Sequence, residues 1–244
     1  MDSISERLVL FALDNKHQTL IEKLDLRLGY GLSGALLLDL LDKGSIAYTD
    51  EGMLQAQMHD APSAGYLQKA LELLPRHAPS SHEGLSRTLY ANMPMLKPLV
   101  LDALEQKGVL KSDEAKLKWS FAMKAYHVVD AHAGYREQLL AALLEDRLSI
   151  RDFWVLQFAR STELLWGGGQ EKAEVLAAME RLEQLAGMVT HGRTLAQQMV
   201  EELPDAIAQA HRLGKMKGKR RYDEVWEWRG FWTEKGQTLI QASD

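Results

Sequence analysis

The feature that most constrains the fold of this chain is an apolar segment at residues 35–41, ALLLDLL. Because the segment is apolar on nearly every side, it predicts a helix in the centre of a helical core. Lys43 and Gly44 follow it, and a cation in the last turn before a glycine is typical of a helix end. The segment is interrupted by Asp39 and is far too short to span a bilayer, so we expect any membrane contact to be peripheral.

A strand pair is predicted after each of two apolar helices. Residues 46–54 flank an Asp-Glu-Gly turn that follows the first helix. The second helix, residues 99–106, ends at Lys107 and Gly108, and the residues beyond alternate between apolar and polar at the period of a strand. Helical periodicity then covers most of the chain from residue 135 onward. We therefore predict a mainly α fold, a compact helical domain with projecting β-hairpins.

The N-terminal segment carries the signature of a helix start. Ser3 and Ser5 precede an apolar run at residues 8–13, and Glu6 stands three residues after Ser3, as in a capping box. In such a box each side chain bonds a backbone N–H of the other residue. The segment lacks the basic start and long apolar core of a signal peptide, and the chain has no cysteine. Both features favour the cytoplasm as its location.

The predicted second hairpin carries Trp119 and Phe121 near its tip. Exposed aromatic side chains at a hairpin tip suit contact with a membrane or with a partner protein. More often, such an alternation marks a strand face that packs on helices. The sequence leaves both interpretations open.

The repeated order of helix, Lys-Gly stop and hairpin is also the order of a winged-helix unit. A protein- or nucleic-acid-interaction module is therefore the alternative function. Neither candidate recognition helix is basic, because residues 35–41 are almost wholly apolar and residues 99–105 carry a net negative charge. The net charge of the chain is -5, whereas nucleic-acid binding usually needs a basic surface. We expect no nucleic-acid partner.

The composition changes in a C-terminal tail that runs from Gly214 to Asp244. The tail opens with a cluster of basic residues, Lys215, Lys217, Lys219, Arg220 and Arg221. Tryptophans at positions 226, 228 and 232 follow the cluster. Cations beside tryptophans suit an anionic membrane surface, and they also suit nucleic-acid phosphates with stacked bases. In a third interpretation the tryptophans dock onto the protein's own core.

An enzyme needs reactive groups that converge, and the sequence shows no such set. Residues 29–34, GYGLSG, fit the G-x-G-x-x-G string of dinucleotide sites, but a half-charged segment precedes them instead of an apolar strand. Ser33 does not fit the Gly-x-Ser-x-Gly nucleophile elbow. His127, Asp130 and His132 are close in sequence, but a metal site usually needs three or four converging ligands. We therefore predict no catalytic residue, no metal site and no cofactor.

Several segments form an ordered series along the chain. They are LVLFALD at residues 8–14, YGLSGALLLDLLDKGSI at 30–46, PSAGYLQKAL at 62–71, LEQKGVL at 104–110 and the helix at 135–144. This series resembles the Golgi phosphoprotein 3 (GPP34) family, and the short loops are similar to those of its bacterial members. The resemblance covers roughly residues 5–190. We accordingly divide the chain into a Golgi phosphoprotein 3-like domain at 1–190 and a C-terminal helical extension with a basic-aromatic tail at 191–244.

The resemblance implies a function in binding rather than in catalysis. Eukaryotic members of the family bind phosphatidylinositol 4-phosphate on the cytosolic face of the Golgi and package glycosyltransferases by their tails. By analogy, we expect a peripheral membrane adaptor on the inner face of a membrane. Its expected partners are an anionic membrane lipid, a membrane protein client and, through the hairpin, further copies of the chain.

The resemblance also implies the position of the headgroup pocket. The family uses a tryptophan in the loop before the first buried helix, an arginine in a GLRG turn and two basic residues three apart. Here the loop, residues 20–28, has no tryptophan, and Leu24 is nearest by position. Ser33 takes the place of the arginine. Pro94 and Lys97 take the places of the two basic residues. The implied headgroup residues are Lys97 and Ser33. A phosphate monoester needs several charge-assisted donors, so this pair would hold one weakly.

Overall fold

The computed structural model describes residues 3–13, 21–57, 62, 64–75, 78–115, 123–167, 172–189, 204–205 and 207–208. The chain divides into two compact units, Met1–Ala208 and Gln209–Asp244, and every described residue belongs to the first. This first unit extends beyond the predicted boundary at residue 190. Within it, the side chains of Pro204 and Ile207 are buried.

The described part of the chain is mainly helical, as predicted. Its α-helices are α1 (Ile4–Leu13), α2 (Ile21–Asp42), α3 (Gly65–Leu73), α4 (His82–Ala91), α5 (Met93–Gln106), α6 (Tyr135–Leu144), α7 (Ile150–Ser161) and α8 (Lys172–Val189). Its strands are β1 (Ile46–Tyr48), β2 (Leu54–Ala56), β3 (Leu110–Ala115) and β4 (Met123–Val128). Short 3-10 turns lie at Asp130–His132 and Leu164–Gly167.

The strands form two separate antiparallel hairpins, each placed directly after a long helix. In the first hairpin Ile46 pairs with Ala56, and in the second Leu110 pairs with Val128. Two-stranded sheets of this kind depend on packing against helices for stability, and β3 packs against α5. The predicted combination of a helical domain and two hairpins is confirmed.

Helix α2 lies at the centre of the core, as its apolar composition predicts. Residues 35–40 are buried in this helix and Leu41 is half-buried, and α1, α4 and α7 pack against the helix. The helix begins at Ile21, however, so the prediction of a loop at residues 20–28 is wrong for the described positions from Ile21 onward. Charged residues interrupt the apolar pattern in that segment, so the pattern does not predict a helix there.

Three glycines in α2 allow different neighbours to approach its backbone. A Cβ atom on Gly29 would lie 3.2 Å from a Tyr90 ring carbon, and one on Gly31 would lie 3.1 Å from the side chain of Leu8. The tightest position is Gly34, where a Cβ would lie 2.7 Å from Phe158 Cε1. The GYGLSG string therefore serves close packing of helices.

Both Lys-Gly stops end their helices in the same way. Gly44 has a φ of +66° and Gly108 has a φ of +69°, a left-handed conformation that glycine adopts without steric cost. Gly44 and the residue after it donate backbone hydrogen bonds to Leu41 and Leu40, at 2.9 Å each. The bonds at Gly108 have the same spacing. This pattern is the Schellman motif, and it confirms the predicted helix ends.

Candidate functional site

The candidate headgroup residue Lys97 lies on α5, one turn after the helix begins. Pro94 occupies the first turn, where its missing N–H has no intrahelical partner to lose. Lys97 is half-buried, and it falls on the arc of α5 that carries the buried side chains of Met93, Leu96, Val100, Leu101 and Leu104. A lysine at such a position can bury its aliphatic stem beside apolar side chains while its ammonium group stays in water.

Two stacked aromatic rings pack α2 against the junction of α4 and α5, one turn before Lys97. The rings of Tyr30 and Tyr90 stack with centroids 3.7 Å apart and an interplanar angle of 6°. The close approach at Gly29 places this part of α2 against Tyr90 and Met93. Since Met93 precedes Lys97 by four residues, the stacked pair and Lys97 belong to the same side of α5.

Ser33, the other candidate headgroup residue, lies in the core. Its side chain is 0% exposed, and its hydroxyl donates a hydrogen bond of 2.7 Å to the carbonyl of Tyr30. This bond to the preceding helical turn satisfies the hydroxyl inside α2. Of the two predicted residues, the structure thus brings only Lys97 to the surface.

Two arginines near these helices engage carboxylates. Arg27 donates to the carbonyl of Glu163 at 3.2 Å, and its guanidinium lies 3.6 Å from the carboxylate of the same residue. Arg87 forms an ion pair of 2.6 Å with Glu83, one turn earlier on α4. Both arginines therefore have an acidic residue of the protein as a partner.

Asp39 caps a different helix from its own, a role that no sequence pattern indicates. Its carboxylate accepts the backbone N–H groups of Ile4 and Ser5, at 2.7 and 2.9 Å. These groups lie in the first turn of α1, where helix N–H groups have no intrahelical partner. Burial raises the pKa of Asp39 to about 6, although the hydrogen bonds from Ser5 and Ile4 act in the opposite direction.

The predicted capping box at the start of α1 forms only in part. Ser3 Oγ accepts the backbone N–H of Glu6 at 3.2 Å, as predicted. The Glu6 carboxylate is instead bonded by the hydroxyl of Tyr66 at 2.9 Å and by Lys107 Nζ at 2.7 Å. Burial is the main reason that the pKa of Tyr66 is raised. This network ties α1, α3 and the end of α5 together, and its buried groups satisfy one another.

A second buried charge, Arg136 on α6, also has a structural role. Its guanidinium lies 4.3 Å from the centroid of the Phe11 ring and donates to the carbonyls of Leu164 and Leu165, at 3.0 and 2.7 Å. Cation–π contact and carbonyl acceptors both stabilise a cation inside a protein. Arg136 therefore holds the 3-10 turn after α7 against α1 and α6.

The predicted membrane contacts lie outside the described residues. They are Trp119, Phe121, Lys215, Lys217, Lys219, Arg220 and Arg221. Among the residues that the structure describes, no group of three or more His, Asp or Glu side chains is placed to hold a metal ion. None of the described helices has the length and apolar composition that crossing a membrane requires.

The winged-helix alternative depends on a helix that can enter a nucleic-acid groove. Helix α2 precedes the first hairpin, but its residues 35–40 are buried. Helix α5 precedes the second, and its exposed face carries Met95 and Leu99 rather than cations. Groove-binding helices contact phosphates and base edges with polar and basic side chains. Among the side chains that the structure describes, neither of these two segments has such a surface.

Comparison with known proteins identifies one relationship. A model of the Golgi phosphoprotein 3 (GPP34) family matches residues 4–219. The match covers the described helices and hairpins and extends beyond residue 190, where the resemblance seen in the sequence ended. A comparison with curated proteins finds no match.

Proposed function

The chain belongs to the Golgi phosphoprotein 3 family, and from this premise we propose that it is a non-enzymatic adaptor that binds anionic lipid headgroups at a membrane surface. The observation that carries the proposal is the position of Lys97. This residue keeps a cation where the family has one of its headgroup ligands, and its half-buried stem holds that cation at the surface of the core.

The surroundings of Lys97 suit a phosphate group on physical grounds. A charge-assisted hydrogen bond from an ammonium group to a phosphate oxygen is roughly twice as strong as a neutral one. A half-buried lysine has less conformational freedom to lose on binding than an extended surface lysine does. Both effects favour a headgroup contact at this position.

The lipid class follows from the charge at the site. The position of the second basic residue is Pro94, and the hydroxyl of Ser33 is buried. One lysine supports recognition of an anionic headgroup, but it does not support selection of a phosphate monoester over a diester. The predicted basic cluster at residues 215–221 would add non-specific attraction, of about 1 kcal/mol for each cation near the membrane.

The adaptor role extends to the expected partners and location. We place the protein in the cytoplasm, peripheral to the inner face of a membrane, where it would link the lipid surface to a membrane protein client. The hairpin β3–β4 would supply contacts between copies of the chain, and its tip residues Trp119 and Phe121 would contact the membrane. These assignments rest on family membership.

Vesicle flotation tests the proposal directly. Vesicles of phosphatidylcholine alone should leave the protein behind, whereas vesicles that also contain phosphatidylglycerol should carry it upward at low salt. Lys97→Gln should weaken this association about fivefold, the equivalent of roughly 1 kcal/mol. Lys172→Gln removes an equally charged residue from the exposed start of α8 and is the matched control. Binding that is independent of anionic lipid would overturn the proposal.

A tail variant separates the two sources of charge. Replacing Lys215, Lys217, Lys219, Arg220 and Arg221 by glutamine removes the basic cluster and leaves Lys97 in place. If Lys97 forms the headgroup site, the tail variant should keep a Lys97-dependent part of the binding. If the tail variant loses all binding and Lys97→Gln loses none, the headgroup contact belongs to the tail instead.

A further inference from the structure

A hydrogen-bonded network surrounds the first turn of α1 and joins it to α2, α3 and the end of α5. We call it the α1 network, and its members are Ser3, Ser5, Glu6, Asp39, Tyr66 and Lys107. All of them except Lys107 are buried, so the network is largely shielded from water. Hydrogen-bonded polar groups in such surroundings polarise one another, and a change of charge at one of them affects the others.

The α1 network connects a half-exposed lysine to a buried carboxylate. Lys107 Nζ lies 2.7 Å from Glu6 Oε1, and Tyr66 Oη lies 2.9 Å from the same oxygen. Tyr66 also donates to Ser3 Oγ at 3.0 Å, and Ser3 Oγ lies 3.3 Å from Ser5 Oγ. Ser5 in turn bonds the carboxylate on α2, through its backbone N–H at 2.9 Å and through its side chain. The first turn of α1 is therefore held between two acidic groups.

The charges of the α1 network do not balance when both carboxylates are ionised. Glu6 and Asp39 then carry two negative charges, and Lys107 supplies one positive charge. A net charge in the interior is costly, because the protein solvates it less well than water does. Burial is the largest cause of the raised pKa of Asp39, and the charge of Glu6 acts in the same direction. A proton on Asp39 removes the excess negative charge.

The ionisable groups that act on Asp39 come from neighbouring helices. They are Glu6 on α1 and Tyr66 on α3, and Lys107 at the end of α5 acts through Glu6. Other ionisable groups on the elements packed against α2 bond one another. These pairs are Arg7 with Asp152, Arg151 with Asp42, Arg87 with Glu83, Lys69 with Glu72, Arg27 with Glu163, Tyr126 with Asp102, and Tyr48 with His82.

The carboxylate of Asp39 contacts α1 at the part of a helix that opens most easily. It accepts the N–H groups of Ile4 and Ser5, and the ends of helices open locally at a lower free energy than the core. Opening of this turn would bring Asp39 into water, where its ionised form is no longer disfavoured. Loss of the proton therefore lowers the free energy of opening.

We propose that the α1 network is a proton-controlled latch, in which protonated Asp39 keeps the first turn of α1 docked on α2 and loss of that proton favours release of the turn. The docked turn binds the proton more tightly than the released turn, so the latch is closed at acidic pH and loosens as the pH rises through about 6. Release also separates Glu6 from Lys107, which lies at the start of the second hairpin. No step of this inference involves a lipid, so it is independent of the proposed function.

Amide hydrogen exchange tests the latch at the two N–H groups that Asp39 binds. Protection of Ile4 and Ser5, relative to an unstructured chain at the same pH, should fall about tenfold between about pH 5 and about pH 7.5. At the higher pH these two amides should be protected at least about tenfold less than those of Val155 and Leu156 in the buried helix α7, because the turn opens without the rest of the protein.

Two substitutions test whether the proton on Asp39 is the cause. Asp39→Asn keeps an acceptor oxygen and does not ionise, so protection of Ile4 and Ser5 should change by less than about twofold over the same pH range. Glu6→Gln removes the neighbouring negative charge, so Asp39 holds its proton less tightly and the fall should be smaller than in the wild type. The matched control is Glu72→Gln, which removes an exposed carboxylate from α3 and should keep the fall of the wild type.

The latch is wrong if protection of Ile4 and Ser5 does not fall with pH in the wild type, or if it falls equally in Asp39→Asn. It is also wrong if these amides are as well protected as Val155 and Leu156, since the turn then opens only when the whole protein unfolds. If Asp39→Asn does not fold, Glu6→Gln decides, and a fall equal to that of the wild type overturns the inference. Protection of Val155 and Leu156 shows whether each variant is folded.

Discussion

The carboxylate of Asp39 accepts the backbone N–H of Ile4 at 2.7 Å, across a separation of 35 residues. This bond joins the most apolar part of α2 to the first turn of α1. A carboxylate is an unusual choice for that position, because burial disfavours its charged form. The Asp39 carboxylate is stabilised there because the first turn of a helix supplies N–H donors and the positive end of the helix dipole.

Removal of the Asp39 carboxylate should destabilise the protein. Asp39→Ala leaves the N–H groups of Ile4 and Ser5 without their acceptor in the core, and the expected cost is about 1–3 kcal/mol of unfolding free energy. Asp39→Asn keeps one acceptor oxygen without the charge and should cost less. Urea denaturation at neutral pH measures both variants. Wild-type stability of Asp39→Ala would show that the bonds contribute nothing.

The pKa of Asp39 predicts how stability changes with pH. Its folded-state value of about 6 lies above the ordinary value of 3.8, so the folded protein binds this proton more tightly than the unfolded chain. Its contribution to stability is therefore full below the ordinary value and is lost as the pH rises through about 6. The wild type should lose on the order of 1 kcal/mol relative to Asp39→Asn between about pH 5 and about pH 7.5.

A parallel pH dependence in the wild type and Asp39→Asn would contradict this assignment. The comparison with Asp39→Asn is needed because the stability of the whole protein also varies with pH. Tyr66 and Glu6 act on Asp39 through the same network, and Lys107 bonds Glu6. These groups are present in both proteins, so the difference between the two pH profiles belongs to Asp39.

Glu6 and Lys107 should show energetic coupling. Glu6 is buried and Lys107 is half-exposed, with the ammonium 2.7 and 2.8 Å from the two carboxylate oxygens. Lys107→Met leaves the buried carboxylate without its cation, so it should destabilise the wild type more than it destabilises Glu6→Gln. A double-mutant cycle should give a coupling of about 1 kcal/mol or more. Additive effects would mean that the ion pair contributes no net stability.

Gly34 should not tolerate a side chain. In Gly34→Ala the new Cβ would lie 2.7 Å from Phe158 and 3.1 Å from Ile207. The expected overpacking cost of about 1–3 kcal/mol exceeds the roughly 1 kcal/mol gained from helix propensity. Gly65→Ala is the control, because no atom lies within 4 Å of a Cβ at that helix start. Thermal unfolding compares them, and a second substitution, Phe158→Leu, should restore part of the loss.

The helix ends and the central helix illustrate what a reading of the sequence can predict. Lys43-Gly44 and Lys107-Gly108 end their helices because a glycine accepts the left-handed conformation that a Schellman motif needs. Residues 35–41 lie in the core because nearly every side of that segment is apolar. Both results depend on local chemistry. The extension of α2 back to Ile21 was missed, since charged residues in that turn obscure the apolar pattern.

The sequence predicts only part of the candidate site. The position of Lys97 on α5 followed from the family resemblance, and the structure places it at the surface. Ser33 took the place of an arginine by the same counting, yet its hydroxyl bonds Tyr30 in the core. Counting along the chain assigns a residue to a position in the family pattern, but it does not tell whether the side chain is buried. The side on which its side chain lies depends on the packing of α2.

By itself, the sequence determined the helical class, the two hairpins, the helix ends and the family, because each depends on residues that are near one another along the chain. Only the tertiary structure decided that Asp39 caps α1, that Glu6 pairs with Lys107 instead of closing its capping box, and that Ser33 lies in the core. Those features depend on which helices become neighbours. Which helices pack together depends on the burial of whole helical faces, and no short segment of sequence specifies that packing.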